Sequence, residues 1–141
     1  MAAEGGVRTF DLSVVTPDGA AFEGEAEMVI VPGAAGEIGV LARHAPLVAM
    51  LKAGEIRVKA GDEWQSFAAG PGYLKVQQDR AIALVDDAVR AEDIDIEGAR
   101  READEARAAL ERADGGDEEI DRWHIEQRLR HAENKISVAG Q

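Results

Sequence analysis

The chain has 141 residues, enough for one ordinary domain and an appendage but not for two full cores. Its 28 acidic against 16 basic residues give a net charge of −12, so a nucleic-acid backbone or an anionic membrane surface would repel it as a whole. Cysteine is absent, which excludes disulfides, thiolate chemistry and cysteine-ligated zinc and fits a reducing compartment. No apolar run approaches the ~20 residues needed to cross a bilayer, and the opening MAAEGGVRTF lacks the pattern of a secretory signal, so the chain reads as cytoplasmic.

The first 90 residues read as short strands separated by turns. TFDLSVVTPDG places Phe10, Leu12 and Val14 on one strand face before a turn at Pro17-Asp18-Gly19. In AFEGEAEMVIVPG, Glu23, Glu25 and Glu27 alternate with small or apolar residues, which puts the acids outward. The glycines of VPGAAGEIGV (Gly33, Gly36, Gly39) fit no phosphate-binding spacing and read as a loop. Within GEIGVLARHAPL, Gly36, Gly39 and Pro46 shape that loop. Ile38, Val40 and Leu41 fix it to the strands, leaving Glu37 and His44 as its outward polar groups. Two hairpins follow, turning at Gly61-Asp62 and at Gln78-Asp79. Turn signals every eight to twelve residues predict an antiparallel sandwich or flattened barrel.

Near Arg90 the pattern changes. All four prolines and eleven of the fifteen glycines lie before it. Ala99, Ala103, Ala106, Leu110 and Ala113 then mark one stripe of a helix from about Asp93 to Arg112. Gly115-Gly116 stops it, and Asp117 is a candidate N-cap for a second helix carrying Ile125, Leu129, Ala132 and Ile136 at the same spacing. So short a loop makes the helices antiparallel neighbours, and alanine at the seam lets their axes approach. The expected architecture is an all-β N-terminal domain, residues 1–90, followed by a C-terminal two-helix hairpin, residues 91–141. The hairpin holds 15 acids and 8 bases and lacks a broad apolar face, so it must dock on the sandwich or on a partner.

Signatures of catalysis are missing: there is no Gly-x-Ser-x-Gly elbow, no phosphate-cradling Gly-x-x-x-x-Gly-Lys and no His-Glu-x-x-His. Asp86 and Asp87 are adjacent, and neighbouring strand residues point to opposite faces, so they read as an exposed strand end rather than an acid/base pair. His124 and His131 stand two helical turns apart, too far for one metal ion without a third ligand, and read as surface histidines. His44 has no serine, cysteine or acid at a catalytic spacing; a loop-ordering hydrogen bond and a partner contact both stand. Arg122, Arg128, Arg130 and Lys135 follow an acidic helix start. That order suits the helix dipole and equally suits a basic face for an acidic partner.

The segments LSVVTPDG, VIVPGAAGEIGVLARHAPLVAMLKAGEIRV, GYLKV and ALVDDAVRAEDID resemble the epsilon subunits of bacterial F-type ATP synthases, the equivalent of mitochondrial delta. The resemblance runs through nearly the whole chain, and its GE-x-G-x-x-x-x-HAPL pattern is highly specific. It implies a non-catalytic subunit of the central stalk that clasps gamma, rests on the c-subunit ring and turns with them, peripheral to the cytoplasmic face of the cell membrane and without inserting into it. Glu37 and His44 match family positions in the region facing the ring and gamma. The hairpin matches a regulatory element that permits rotation when folded down. When extended it reaches the alpha and beta subunits and blocks ATP hydrolysis, with Arg122, Arg128 and Arg130 as the equivalents of basic residues that meet beta.

Some relatives bind ATP through an Ile/Leu-Asp-x-x-Arg-Ala motif. Here Ile94, Asp95 and Ala99 remain but Gly98 stands where the arginine belongs, so no cofactor is expected. A free-standing ligand-binding sandwich with the hairpin as its lid is the alternative reading.

Overall fold

The computed structural model describes residues 8–116 and 121–140. Ten strands occur among them: β1 Phe10–Thr16, β2 Gly19–Ala26, β3 Met28–Gly33, β4 Gly36–Leu41, β5 Leu47–Leu51, β6 Gly54–Ala60, β7 Glu63–Ala69, β8 Gly72–Gln77, β9 Arg80–Val85 and β10 Ala88–Arg90. A short 3-10 turn, Ala91–Asp93, leads into α1, Ile96–Asp114, and α2, Arg122–Ala139.

The strands hydrogen-bond in the order β10-β7-β6-β3-β5-β8-β9-β1-β2, with β4 on the free side of β3. Between β3 and β5 the ladder narrows to one pair, Gly33 and Leu51, and the sheet folds there into two layers. Gly33 is required at this crease: a Cβ would lie 2.5 Å from the carbonyl oxygen of Gly36. Every other neighbour is antiparallel except β1 and β9, which run parallel from Asp11–Arg80 to Val15–Leu84. The expected all-β sandwich followed by two helices is therefore observed.

Alternation builds the core. Phe10, Leu12 and Val14 of β1, Val29 and Val31 of β3, Ile56 and Val58 of β6, Leu74 and Val76 of β8, and Ala81, Ala83 and Val85 of β9 all point between the layers. Phe67 of β7 is the largest fully buried side chain among the described residues and meets Phe22 of β2 edge-to-face across the core, centroid to centroid 6.4 Å. The expected hairpin turns occur. At Gln78 and Asp79 both residues take positive φ, 50° and 57°, the backbone of a two-residue type I′ turn.

Four local expectations change. The stretch Gly36–Leu41 is a strand paired with β3 along its length, not a loop. Its glycines mimic a turn, but Gly39 merely faces outward with Glu37 and Leu41 while Val40 enters the core. Leu41 accordingly remains exposed instead of anchoring the segment. Glu27 lies past the end of β2, largely covered and 3.5 Å from Lys59 Nζ, rather than outward like Glu23 and Glu25. Helix α1 begins at Ile96 because Asp95 caps it, its Oδ1 accepting the Gly98 N–H at 3.0 Å.

The second helix is capped by Asp121, which accepts the His124 N–H. Asp117, the expected cap, lies outside the described residues. The expected stripe is observed at Ala99, Ala103 and Ala106, which are buried; beyond them Ala109 is buried in its place while Leu110 and Ala113 are only half-buried, and Ala132 of α2 is completely covered.

Candidate partner-binding faces

Two outer faces distinguish the two layers. On the β7–β6 layer, α2 lies against the strands and α1 packs on α2. Ala68, which points away from the core between Phe67 and Ala69, is completely buried beneath this cover.

The outer face of the other layer is bare. Strand register aligns Met50 with Tyr73, Tyr73 with Leu84 and Leu84 with Val15, one apolar row across β5, β8, β9 and β1. Met50 is 66% exposed and Tyr73 41%, and Val48, beside Met50 on the same strand face, is 69% exposed. Below that row the face turns polar, with Lys75, Gln77, Arg80 and Asp11 around a shallow depression. A contiguous apolar row with a polar rim is the surface anatomy of a protein contact.

Glu37 and His44 are not neighbours. Glu37 is the second residue of β4 and His44 lies beyond its end, and the four strand steps from Glu37 to Leu41 alone span roughly 13 Å. The Glu37 carboxylate is 66% exposed and accepts from Arg57 Nη2 at 3.2 Å, so β6 reaches across β3 to hold it. His44 sits in a turn with its N–H bonded to the Leu41 carbonyl and its Nδ1 donating to the Ala45 carbonyl at 2.7 Å. The preceding Arg43, at φ 64°, gives its N–H to Asp79 Oδ1 at 2.7 Å. The His44 turn is thereby tied to the β8–β9 turn, so a loop-ordering hydrogen bond is present.

The basic residues of α2 divide. Arg122 bonds Asp114 at the end of α1 and Glu126 one turn on, stapling the two helices where they meet. The Asp114 carboxylate, then Glu126, hold its guanidinium pKa above the ordinary value. Arg128 and Arg130 are exposed and enter no salt bridge among the described residues. Lys135 turns inward, 3.4 Å from Glu102 of α1 and 3.9 Å from Asp87. His131 is the clear departure from a surface histidine: only 15% of its side chain is exposed, and its Nε2 lies 2.7 Å from Asp87 Oδ2. Asp87 is therefore part of the docking of α2 rather than a bare strand end.

Asn134 is a functional candidate absent from the sequence reading. Its Nδ2 donates to the Gly54 carbonyl at 2.9 Å and to the Ala69 carbonyl at 3.1 Å, the closing pair of the β6–β7 ladder. Both partners are acceptors, so the amide can face them only with its NH2 group. The available signal is its residue type, since asparagine is a poor choice for a helix interior unless its side chain has work elsewhere.

The remnant Ile94, Asp95 and Ala99 serves the start of α1. Ile94 ends the 3-10 turn, Asp95 caps the helix, and Ala99 is buried in its seam. A Cβ at Gly98 would come within 2.4 Å of Asp95 Oδ2, so the capping geometry and a side chain at 98 compete for the same space.

Residues 9–91 match the family described as ATP synthase, Delta/Epsilon chain, beta-sandwich domain. The chain is 40% identical over 132 residues to the ATP synthase epsilon chain of Halalkalibacterium halodurans, covering 94% of this chain and 98% of that one. It is 35% identical over 127 residues to that of Thermosynechococcus vestitus, covering 90% and 92%. Among solved structures, a chain of the Euglena gracilis mitochondrial ATP synthase (OSCP/F1/c-ring, rotational state 1) superposes with a TM-score of 0.77 at 24% identity, covering 94% and 82%. A chain from the central stalk/c-ring of the Tetrahymena thermophila mitochondrial ATP synthase gives 0.60 at 7% identity, covering 94% and 97%. At those identities the two superpositions speak to fold alone.

Proposed function

The chain belongs to the delta/epsilon family of ATP synthase, and from that premise we propose that it is a non-catalytic subunit of the central stalk, turning with gamma and the c ring to couple proton flow to ATP synthesis. The observation that carries this reading is the division of labour between the two outer faces. One is closed by the chain's own helices, and the other keeps an apolar row, Met50-Tyr73-Leu84-Val15, uncovered.

Gamma occupies the apolar row. Glu37 on β4 and the His44 turn are the rotor-facing polar contacts, and a peripheral position on the cytoplasmic face of the membrane follows from the c ring as the seat. No described helix is long and apolar enough to cross a membrane. Residues 91–141 form the regulatory unit, distinct from the sandwich of residues 1–90. Extended along gamma, the hairpin reaches alpha and beta, presents Arg128 and Arg130 to an acidic segment of beta and inhibits ATP hydrolysis, while Arg122 is available only when its bond to Asp114 opens.

The lid alternative requires a cavity beneath the helices, whereas α2 rests directly on the strands with Ala68 buried under it.

The test is co-purification of gamma with the full chain and with Met50→Lys and Tyr73→Asp. Stoichiometric recovery by the parent and loss by both variants are expected; equal recovery by all three would refute the assigned face. Crosslinkers placed at Glu37 and His44 report the ring and gamma contacts. Hydrolysis by the assembled complex with and without residues 91–141 reports inhibition, and an unchanged rate argues against it.

A further inference from the structure

The hairpin is held down by one helix. α1 packs chiefly on α2, and α2 packs on β7 and β6. The apolar cement of α2 is modest: Ala132 and Val138 are fully buried, while the larger Ile125, Leu129 and Ile136 are only half-buried. Polar contacts add to it through three residues of α2: His131 to Asp87, Asn134 to the carbonyls of Gly54 and Ala69, and Lys135 between Asp87 and Glu102.

We propose that Asn134, with His131 and Lys135 beside it, is a polar latch that decides whether the hairpin lies on the sandwich, and that opening it releases both helices as one body. The chemistry suits reversible release. Each bond made to Gly54, Ala69 or Asp87 is exchanged for one to water when the helix lifts, so its net contribution is small compared with a wide apolar seam. The ring Nδ1 of His131 is buried and has no hydrogen-bond partner among the described residues, a cost of the closed state that opening removes. The bonds of Arg107 to Glu133 and of Lys135 to Glu102 join α1 to α2, not to the strands, and travel with the hairpin.

This deepens the reading of the hairpin as a movable regulatory element, and its physiological meaning rests on that reading. The experiment is amide hydrogen exchange on the full chain, comparing the parent with Asn134→Asp, Asn134→Ala and Lys135→Met. Asn134→Asp is close to isosteric but sets a carboxylate against two carbonyls, and Lys135→Met keeps the stem without the charge. The latch predicts exchange accelerated by about tenfold or more, as expected for loss of one or two net hydrogen bonds, over 96–114 and 122–139 together. Strand amides of β1, β8 and β9 keep their protection.

Unchanged helix exchange in both Asn134 variants overturns the proposal. Acceleration of α2 alone overturns release as one body, and acceleration of helices and strands in step shows a single cooperative unit and overturns the latch. Hydrolysis by complexes assembled with the same variants reads the inhibitory role separately. Faster exchange with unaltered hydrolysis supports the latch and removes the inhibition.

Discussion

Asp87 and His131 are 44 residues apart in the chain, yet His131 Nε2 lies 2.7 Å from Asp87 Oδ2, joining the corner after β9 to the middle of α2. Lys135 stands 3.9 Å from the same carboxylate oxygen, so two cations or donors of one helix converge on a single acid. His131→Phe keeps the ring volume and removes this bond. The helices are expected to lose about 1 kcal/mol of docking stability, a typical net hydrogen-bond contribution, read as a lower midpoint of the helical signal in denaturant.

The alanine seam sets a limit on what fits between the helices. Ala103 is completely buried, and leucine there adds three carbons to a gap with no space for them. Ala103→Leu should cost about 1–3 kcal/mol through overpacking. The loss should show in the helical circular dichroism at 222 nm on heating, with the sandwich signal of Trp64, read with Trp123 replaced by phenylalanine, melting as in the parent.

Asp86 supplies a pH dependence. Partial desolvation of this largely exposed side chain raises its carboxyl above the ordinary carboxylate value, His131 pulls it back, and the neighbouring Asp87 raises it again. A carboxyl raised on folding contributes stability that is full below its unfolded pKa, about 3.9, and is lost as the pH rises through the folded value. At pH 7 the charged Asp86 therefore opposes folding. Asp86→Asn is expected to raise the melting temperature at pH 7 and to give no advantage at pH 3, measured by thermal unfolding at both.

The start of α1 offers a double-mutant cycle. Asp95→Ala removes the N-cap and should cost about 1 kcal/mol. Gly98→Ala alone sets its new Cβ against Asp95 Oδ2, so the helix-propensity gain is spent on displacing the cap. In the Asp95→Ala background that clash is gone and the gain of about 1 kcal/mol should appear in full. Equal effects of Gly98→Ala in both backgrounds would show that the two residues do not compete.

Much of the architecture was legible because it is local. Two-residue turns at Gly61-Asp62 and Gln78-Asp79 dictate their hairpins, and the spacing of Ala99, Ala103 and Ala106 dictates a helix seam. β4 escaped because Gly36 and Gly39 dilute its alternation, and its strand character comes from the ladder with β3. The inward turn of His131 and Lys135 and the work of Asn134 escaped for a related reason. Which side of α2 meets the strands depends on carbonyls at Gly54 and Ala69, some 65 to 80 residues away, and nothing in the helix pattern points to them. Glu37 and His44 stand in one specific motif, yet β4 runs between them, so motif proximity did not become a shared site.

The parallel pairing of β1 with β9 carries a consequence for biosynthesis. Val15 cannot meet Leu84 until almost 70 further residues have left the ribosome, which at roughly 5–20 residues per second is several seconds. Until then β1 has only its hairpin partner β2, and Leu12 and Val14 wait in an open half of the core. The nascent chain closes at its own beginning, and the helices, made last, dock onto a sandwich that has only just become complete.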